Sequence, residues 1–291
     1  MTAQSDVGRL VRVAMKHPRD AFVSQASIDS QWKSLNYHAP PHFLRACLEF
    51  DALVRLLEDN GTRVELLPQH AATGLDSIYV RDASLITDRG AVLCRMGKAL
   101  RSGEPDAQAT ALSNLGVALA GRIEPPGTIE GGDLTWLDHR TLAVGLGYRT
   151  NAEGIRQLRE LMADDIDELV VVPLPHWRGE SDVMHLMSLI SPVDHDLVCV
   201  YSPLLSVPFR NVLLDRGLTL VEVPHGEFDN MGTNVLAIAP RTAIVVKGNR
   251  DTRRALEQAG VQVLEYEGAE ISVKGAGGPT CLTRPLMRER P

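Results

Sequence analysis

The sequence predicts a mixed α/β fold built from five strand–strand–helix–strand units, closed into a ring as one domain over residues 1–291. Three observations carry this. An amphipathic helical pattern followed by a short apolar run recurs five times. Paired apolar runs of hairpin character fill the intervals. Residues able to do chemistry follow the closing strand of each unit.

Residues 9–15, RLVRVAM, read as the first strand, and 16–40 read as polar and irregular. From His42 to Asn60 the apolar residues Phe43, Leu44, Cys47, Leu48, Leu53, Leu56 and Leu57 recur at helical spacing. Gly61 ends that helix, and TRVELLP (62–68) is a strand that stops at proline. The same order of helix, strand and proline returns at 106–126, 151–175 and 206–224, and once more at 251–267 without the proline. Between these units, SIYVRDASLIT pairs with AVLCRM, DLTWL with TLAVGLG, MHLMSLISPV with DLVCVY, and GTNVLAIAP with TAIVVKG, each as a hairpin. Their uneven spacing marks a structural repeat and not a recent duplication. A ring buries the sheet faces that no single unit can bury alone.

Composition narrows the classes. The chain has 291 residues, 44% hydrophobic and 23% charged, which is ordinary for a globular protein with a large core. A net charge of −7 without a basic stripe speaks against nucleic acid and does not disfavour a cationic ligand. Cys47, Cys94, Cys199 and Cys281 show no CxxC spacing, so neither a zinc site nor any other metal or cofactor is implied. No apolar run suits a signal peptide or a membrane span, and a cytoplasmic protein with reduced thiols is expected. A homo-oligomer is left open.

The polar residues carry the functional reading. Asp82, Glu130 with Asp133, His185, the run DNMGTN (229–234) and Cys281 each follow a different unit, so a ring brings them to one end. Taken singly, each has a plain alternative: Asp82 a turn residue, Glu130-Gly-Gly-Asp133 a solvated turn, His185 a core histidine in an apolar strand. Cys281, after GAGGPT, sits on a close-approach loop entering a strand, as nucleophile or as half-buried structural thiol. Cys47, Cys94 and Cys199 lie in apolar patterns as core, and His176 beside Trp177 lies in a surface loop.

The ordered motifs YVRDAS (79–84), EGGD (130–133), GYRTNAEG (147–154), HLMS (185–188) and GGPTCLT (277–283) resemble the guanidine-modifying superfamily called penteins. That group holds arginine deiminases, dimethylarginine dimethylaminohydrolases and amidinotransferases. The resemblance spans about 75–286 and implies a five-bladed α/β propeller of ββαβ units around a pseudo-five-fold axis. It implies Cys281 as nucleophile, His185 as general acid/base and Glu130 as the carboxylate that orients substrate and assists proton transfer. It further implies Asp82, and less directly Asp133, toward the guanidinium, and Arg149 with Arg101 as grips for an α-carboxylate. Where arginine deiminases have an acid two residues after the histidine, this chain has Met187. That departure leaves room for a bulkier, less polar guanidine and favours dimethylarginine, giving citrulline and dimethylamine. Arginine deimination or dihydrolysis, amidino transfer, and a distant ribosome-binding, non-enzymatic reading are the alternatives. A thiol beside several acids is expected to ionise reluctantly until a guanidinium arrives.

Overall fold

The computed structural model describes residues 1–182 and 184–290. The strands are β1 (Leu10–Met15), β2 (Arg63–Leu66), β3 (Ser84–Thr87), β4 (Gly90–Leu93), β5 (Leu119–Arg122), β6 (Leu134–Asp138), β7 (Thr141–Leu146), β8 (Glu168–Pro173), β9 (Ile190–Asp194), β10 (Leu197–Val200), β11 (Thr219–Glu222), β12 (Leu236–Ala239), β13 (Thr242–Val246), β14 (Gln262–Tyr266) and β15 (Arg284–Arg288). The helices are α1 (Pro18–Ala21), α2 (Gln25–Gln31), α3 (Phe43–Asp59), α4 (Glu104–Asn114), α5 (Ala152–Leu161), α6 (Val207–Asp215), α7 (His225–Phe228) and α8 (Arg250–Gln258).

The strands form five three-stranded sheets, ordered β15-β1-β2, β3-β4-β5, β6-β7-β8, β9-β10-β11 and β12-β13-β14. In each, the middle strand runs antiparallel to one neighbour and parallel to the other. The parallel pair requires a crossover, and α3, α4, α5, α6 and α8 supply it. Middle strands such as GAVL and LVCV are buried throughout, which is why they read as unbroken apolar runs. The crossover helices bury one stripe each: α5 turns Ile155 and Leu158 inward and is capped by Asn151, whose side chain accepts the Gly154 N–H at 2.8 Å.

Apolar clusters are shared between successive sheets. Leu85 and Val92 pack with Leu134 and Val144, Ala143 and Val172 with Ile190 and Val198, and Val198 with Val245. Leu236 and Ile244 pack with Leu10 and Val13, and Ala14 and Leu286 with Ile86 and Ala91. The first sheet joins the two ends of the chain: Leu10 pairs with Arg288 and Ala14 with Arg284. Cys281 therefore leads into a strand that completes the first unit.

The structure corrects three sequence expectations. Within 16–40, α1 and α2 are helices too short to show an apolar period. In 77–87 only Ser84–Thr87 is strand; Leu75–Ile78 is a 3-10 turn whose apolar residues are buried by packing and not by ladder pairing. In 184–193 the strand begins at Ile190, because Asp133 accepts the Leu186 N–H at 3.0 Å and Leu186–Ser188 curls into a 3-10 turn. His185 thus caps a turn and is not a strand residue.

A charged group lies beneath these turns. Asp6 accepts from Arg81 at 2.8 Å, from the Thr135 hydroxyl at 3.1 Å and from the Trp136 N–H at 2.8 Å. Burial alone would raise its pKa, but Arg81 and Arg288 outweigh that and hold it low. Asp6→Ala leaves two buried guanidiniums without their carboxylate and is expected to cost about 3–5 kcal/mol, read by urea unfolding. A loss below about 1 kcal/mol would mean that the pair stabilises little.

Candidate active site

Each chemistry-bearing residue lies just before the strand that runs antiparallel to a sheet's middle strand: Asp82 before β3, Glu130 and Asp133 before β6, His185 before β9, Asn234 before β12 and Cys281 before β15. Asp82, Arg101, Arg149, His185 and Cys281 line one cleft of about 980 Å³, part of it open to solvent. Glu130 and Asp133 stand behind its wall, both fully buried.

The imidazole of His185 lies between acids. Its Nε2 is 2.8 Å from Glu130 Oε2 and its Nδ1 is 3.9 Å from Asp82 Oδ1. Burial pulls the His185 pKa down, but Asp82, Asp133 and Glu130 outweigh it and lift the pKa to about 9. The fit depends on Gly132, where an added Cβ would stand 2.4 Å from His185 Nδ1 and 2.8 Å from Asp82 Oδ1. Glu130, expected against the substrate, reaches the cleft through its neighbours instead. It accepts from the Lys98 N–H at 2.9 Å and pairs with Arg149 at 3.3 Å as well as with His185. Burial opposes its charge; His185, Arg101 and Arg149 prevail and hold its pKa far down. Asp133 accepts from Thr150 Oγ1 at 2.6 Å and from Leu186 N; burial raises its pKa to about 6.

Arg101 is not free to grip a carboxylate as expected. It bonds Asp82 Oδ2 at 2.6 Å and both oxygens of Glu104 at 2.9 and 2.8 Å. Its remaining contacts are the carbonyls of Asp76 and Tyr79, each at 3.2 Å. Arg101 thereby fixes Asp82, whose other oxygen, Oδ1, is buried and has no hydrogen-bond partner among the described residues. Arg149 lines the cleft and, among the described residues, its side chain makes only the long contacts to Glu130.

Cys281 is partly exposed, and its sulfur accepts from Asn234 Nδ2 at 3.4 Å. Burial first, and the negative charge of Asp82 second, push its pKa up to about 11. The sequence expectation had the direction and gave the acids the leading part; desolvation is the larger cause. Cys47, Cys94 and Cys199 are buried in the core, and His176 is exposed, its Nδ1 2.7 Å from Tyr148 Oη.

Sequence reasoning passed over Asp76 and Lys98, and named the run 229–234 without giving Asn234 a role of its own. Lys98 Nζ meets Asp76 Oδ2 at 2.6 Å at the cleft wall. The signal for Asn234 was present, since it falls in the fourth unit at the place where the others carry Asp82 and Cys281. Three non-glycine residues lining the cleft, Asn36, Met231 and Ala276, hold left-handed backbone with φ of 64°, 63° and 57°. Met184, Met187, Met231 and Phe228 give the cleft an apolar side.

Asp82, Glu130 and His185 offer donor atoms within 4.8 Å of one another, a set that could hold a cation. Arg101 and Arg149 already supply positive charge to the two carboxylates.

A family model described as N,N dimethylarginine dimethylhydrolase, eukaryotic, matches residues 20–288. The chain belongs to the dimethylarginine dimethylhydrolase family. Within the wider pentein superfamily it is an enzyme of the amidine-hydrolase kind, dimethylargininase-like or arginine-deiminase-like. The uncharacterized protein YkgA of Bacillus subtilis (strain 168) is 29% identical over 288 residues, 98% of this chain and 94% of that protein. An arginine deiminase of Rhodococcus opacus (strain B4) is 31% identical over 193 residues, 55% of this chain and 46% of that enzyme. The chain thus spans about half the length of that deiminase. A dimethylarginine dimethylaminohydrolase from Pseudomonas aeruginosa, a cysteine-to-serine mutant complexed with citrulline, shares the fold. Its TM-score is 0.75 at 23% identity, covering 94% of this chain and 98% of that one. Among the described residues no helix is long and apolar enough to cross a membrane.

Proposed function

We propose that this dimethylarginine dimethylhydrolase family member hydrolyses the guanidinium of N(omega),N(omega)-dimethylarginine to citrulline and dimethylamine. The observation that carries the reading is one cleft lined by the Cys281 thiol, the His185 imidazole and a carboxylate, Asp82, with one oxygen unpartnered among the described residues. A guanidinium is a planar, permanently charged fork of donors, and a buried carboxylate with a free oxygen matches it. We read the five sheets and their shared clusters as blades of one ring, a single guanidine-modifying domain over 1–291. A cytoplasmic setting suits its free thiol.

In this mechanism Asp82 holds the guanidinium against Cys281. The thiol loses its proton to solvent as the cation approaches, and Sγ forms a bond to the guanidinium carbon. His185, charged at neutral pH, donates its proton to the departing nitrogen, the C–N bond breaks and dimethylamine leaves a thiouronium on Cys281. Neutral His185 then takes a proton from water, whose oxygen bonds the same carbon. The C–S bond breaks and the hydroxyl proton of the adduct passes to the sulfur, giving citrulline and the resting thiol. Glu130 keeps His185 charged for the first half, and Asp133 fixes the turn that carries it. Arg149 is the grip for the α-carboxylate; Arg101 serves by holding Asp82.

Dimethylarginine is favoured over arginine by Met187, 2% exposed and lining the cleft where an acid would favour unsubstituted nitrogen. A thioether offers methyl groups a soft apolar contact. The second reading, arginine deimination, rests on the likeness to the Rhodococcus enzyme. Incubation with arginine, monomethylarginine and asymmetric dimethylarginine, with the released amine identified, tests both. Dimethylamine with citrulline supports the first reading; ammonia from arginine at a higher kcat/KM overturns it in favour of the second. Repeating it with added glycine exposes any amidino transfer.

Asp82→Asn keeps the shape and removes the charge. It is expected to raise KM about 10- to 100-fold, the worth of a charge-assisted hydrogen bond, with circular dichroism unchanged. An unaltered KM would remove Asp82 from substrate binding.

A further inference from the structure

We propose that Asn234 is a positioning residue that holds Cys281 ready to ionise, by aiming its amide N–H at the sulfur. This rests on Cys281 being the nucleophile of the proposed reaction. The run DNMGTN occupies the fourth unit's place at the cleft mouth, and the mechanism above leaves it without a role.

The orientation of the Asn234 amide is fixed by its own partners. Oδ1 accepts from the Thr280 backbone N–H at 3.0 Å and from the Thr280 hydroxyl at 2.8 Å. A backbone N–H can only donate, so the oxygen must face Thr280 and the NH₂ must face away from it. That leaves Nδ2 3.4 Å from Cys281 Sγ. The Thr280 hydroxyl lies 3.9 Å from the same sulfur, but its proton is engaged on Asn234. Asn234 itself is 5% exposed. Gly278 makes the approach possible: an added Cβ there would stand 2.5 Å from the Asn234 carboxamide.

A donor aimed at sulfur favours thiolate over thiol, because the hydrogen bond strengthens when its acceptor is charged. Cys281 needs that help. It is desolvated and shares its cleft with the carboxylate of Asp82, and both disfavour the thiolate. Arg101 is bonded to Asp82, Glu104 and two carbonyls, and Arg149 meets Glu130, so neither guanidinium is paired with the sulfur. Among the described residues, Asn234 is the neutral side-chain donor whose hydrogen points at Sγ.

The test uses the rate of Cys281 alkylation by iodoacetamide across pH, with Cys281→Ser as the background for the other three cysteines. Asn234→Ala removes the donor; Asn234→Asp keeps the Thr280 contacts and replaces the donor by a charged oxygen. Both are expected to slow alkylation at fixed mildly alkaline pH about 10- to 100-fold, as a charge-assisted hydrogen bond is worth. Asn234→Asp is expected to be the slower. With dimethylarginine, kcat is expected to fall by a similar factor and KM to stay within about threefold. A merely structural role predicts the opposite sign, since a loosened loop exposes the sulfur and speeds alkylation. Alkylation unchanged or faster in both variants overturns the proposal. Because alkylation needs no guanidino substrate, that outcome is separate from a failure of the proposed reaction, which would show as no turnover of any guanidino compound by the wild-type enzyme.

Discussion

Cys281→Ser is expected to lower turnover of dimethylarginine by about 10⁴-fold or more, while ligand binding survives. The two side chains differ by one atom, so the cleft keeps its shape and its carboxylates. What changes is the atom proposed to attack. Even a thiol held at about 11 yields a usable fraction of anion when a cation enters, whereas a serine hydroxyl has a far higher pKa and no neighbouring group free to take its proton. His185 cannot serve as that base, because at about 9 it already carries a proton at neutral pH. Citrulline should still raise the melting temperature of the variant, which separates lost chemistry from lost fold. Turnover within about tenfold of wild type would remove Cys281 from the bond-forming step.

Glu130→Gln has the second largest expected effect, and its sign follows from the two titrating groups. At neutral pH the resting site holds a thiol and an imidazolium, with pKa values of about 11 and about 9. The attacking form holds thiolate and imidazolium, one proton fewer. In the wild type kcat/KM should therefore climb about tenfold per pH unit from neutrality to about 9 and then flatten. Within the singly protonated pair, the ratio of thiolate–imidazolium to thiol–imidazole is roughly one to a hundred, set by the difference of the two pKa values. Removing the Glu130 charge lowers the pKa of His185. The climb then ends at lower pH, and the productive fraction falls by the same factor as the shift. For a shift of two pH units, kcat/KM on the alkaline plateau is expected to drop about 100-fold, and near neutrality only about twofold. A full pH profile whose plateau starts where it does in the wild type would show that Glu130 does not tune His185.

Much of this arrangement was legible in the sequence. The five helix-then-strand units show because α3, α5 and α8 have enough turns to display an apolar stripe. Middle strands show because burial on both faces makes them unbroken apolar runs. The convergence of Asp82, His185 and Cys281 on one cleft followed from their common place after each closing strand. What was hidden depends on contacts distant in the chain. Arg101 looked free beside Arg149 until Asp82 and Glu104 were seen to claim it. Glu130 looked like a substrate contact until Arg149 and His185 were seen in front of it. The stretch 77–80 alternates like a strand, yet it is buried by packing in a turn. No local pattern distinguishes that from a ladder.

The sheet β15-β1-β2 has a consequence in time. Leu10 and Arg288 must find one another across almost the whole length of the chain. Contacts so remote form slowly, because the intervening loop must close first. The sulfur is seated only when that junction zips, whereas the carboxylates and the imidazole come from sheets made of nearby segments. A chain in which β15 has not yet met β1 would carry the carboxylates and the imidazole without the thiol seated beside them. Reactivity would thus be withheld until residues 284–288 have paired with residues 10–14.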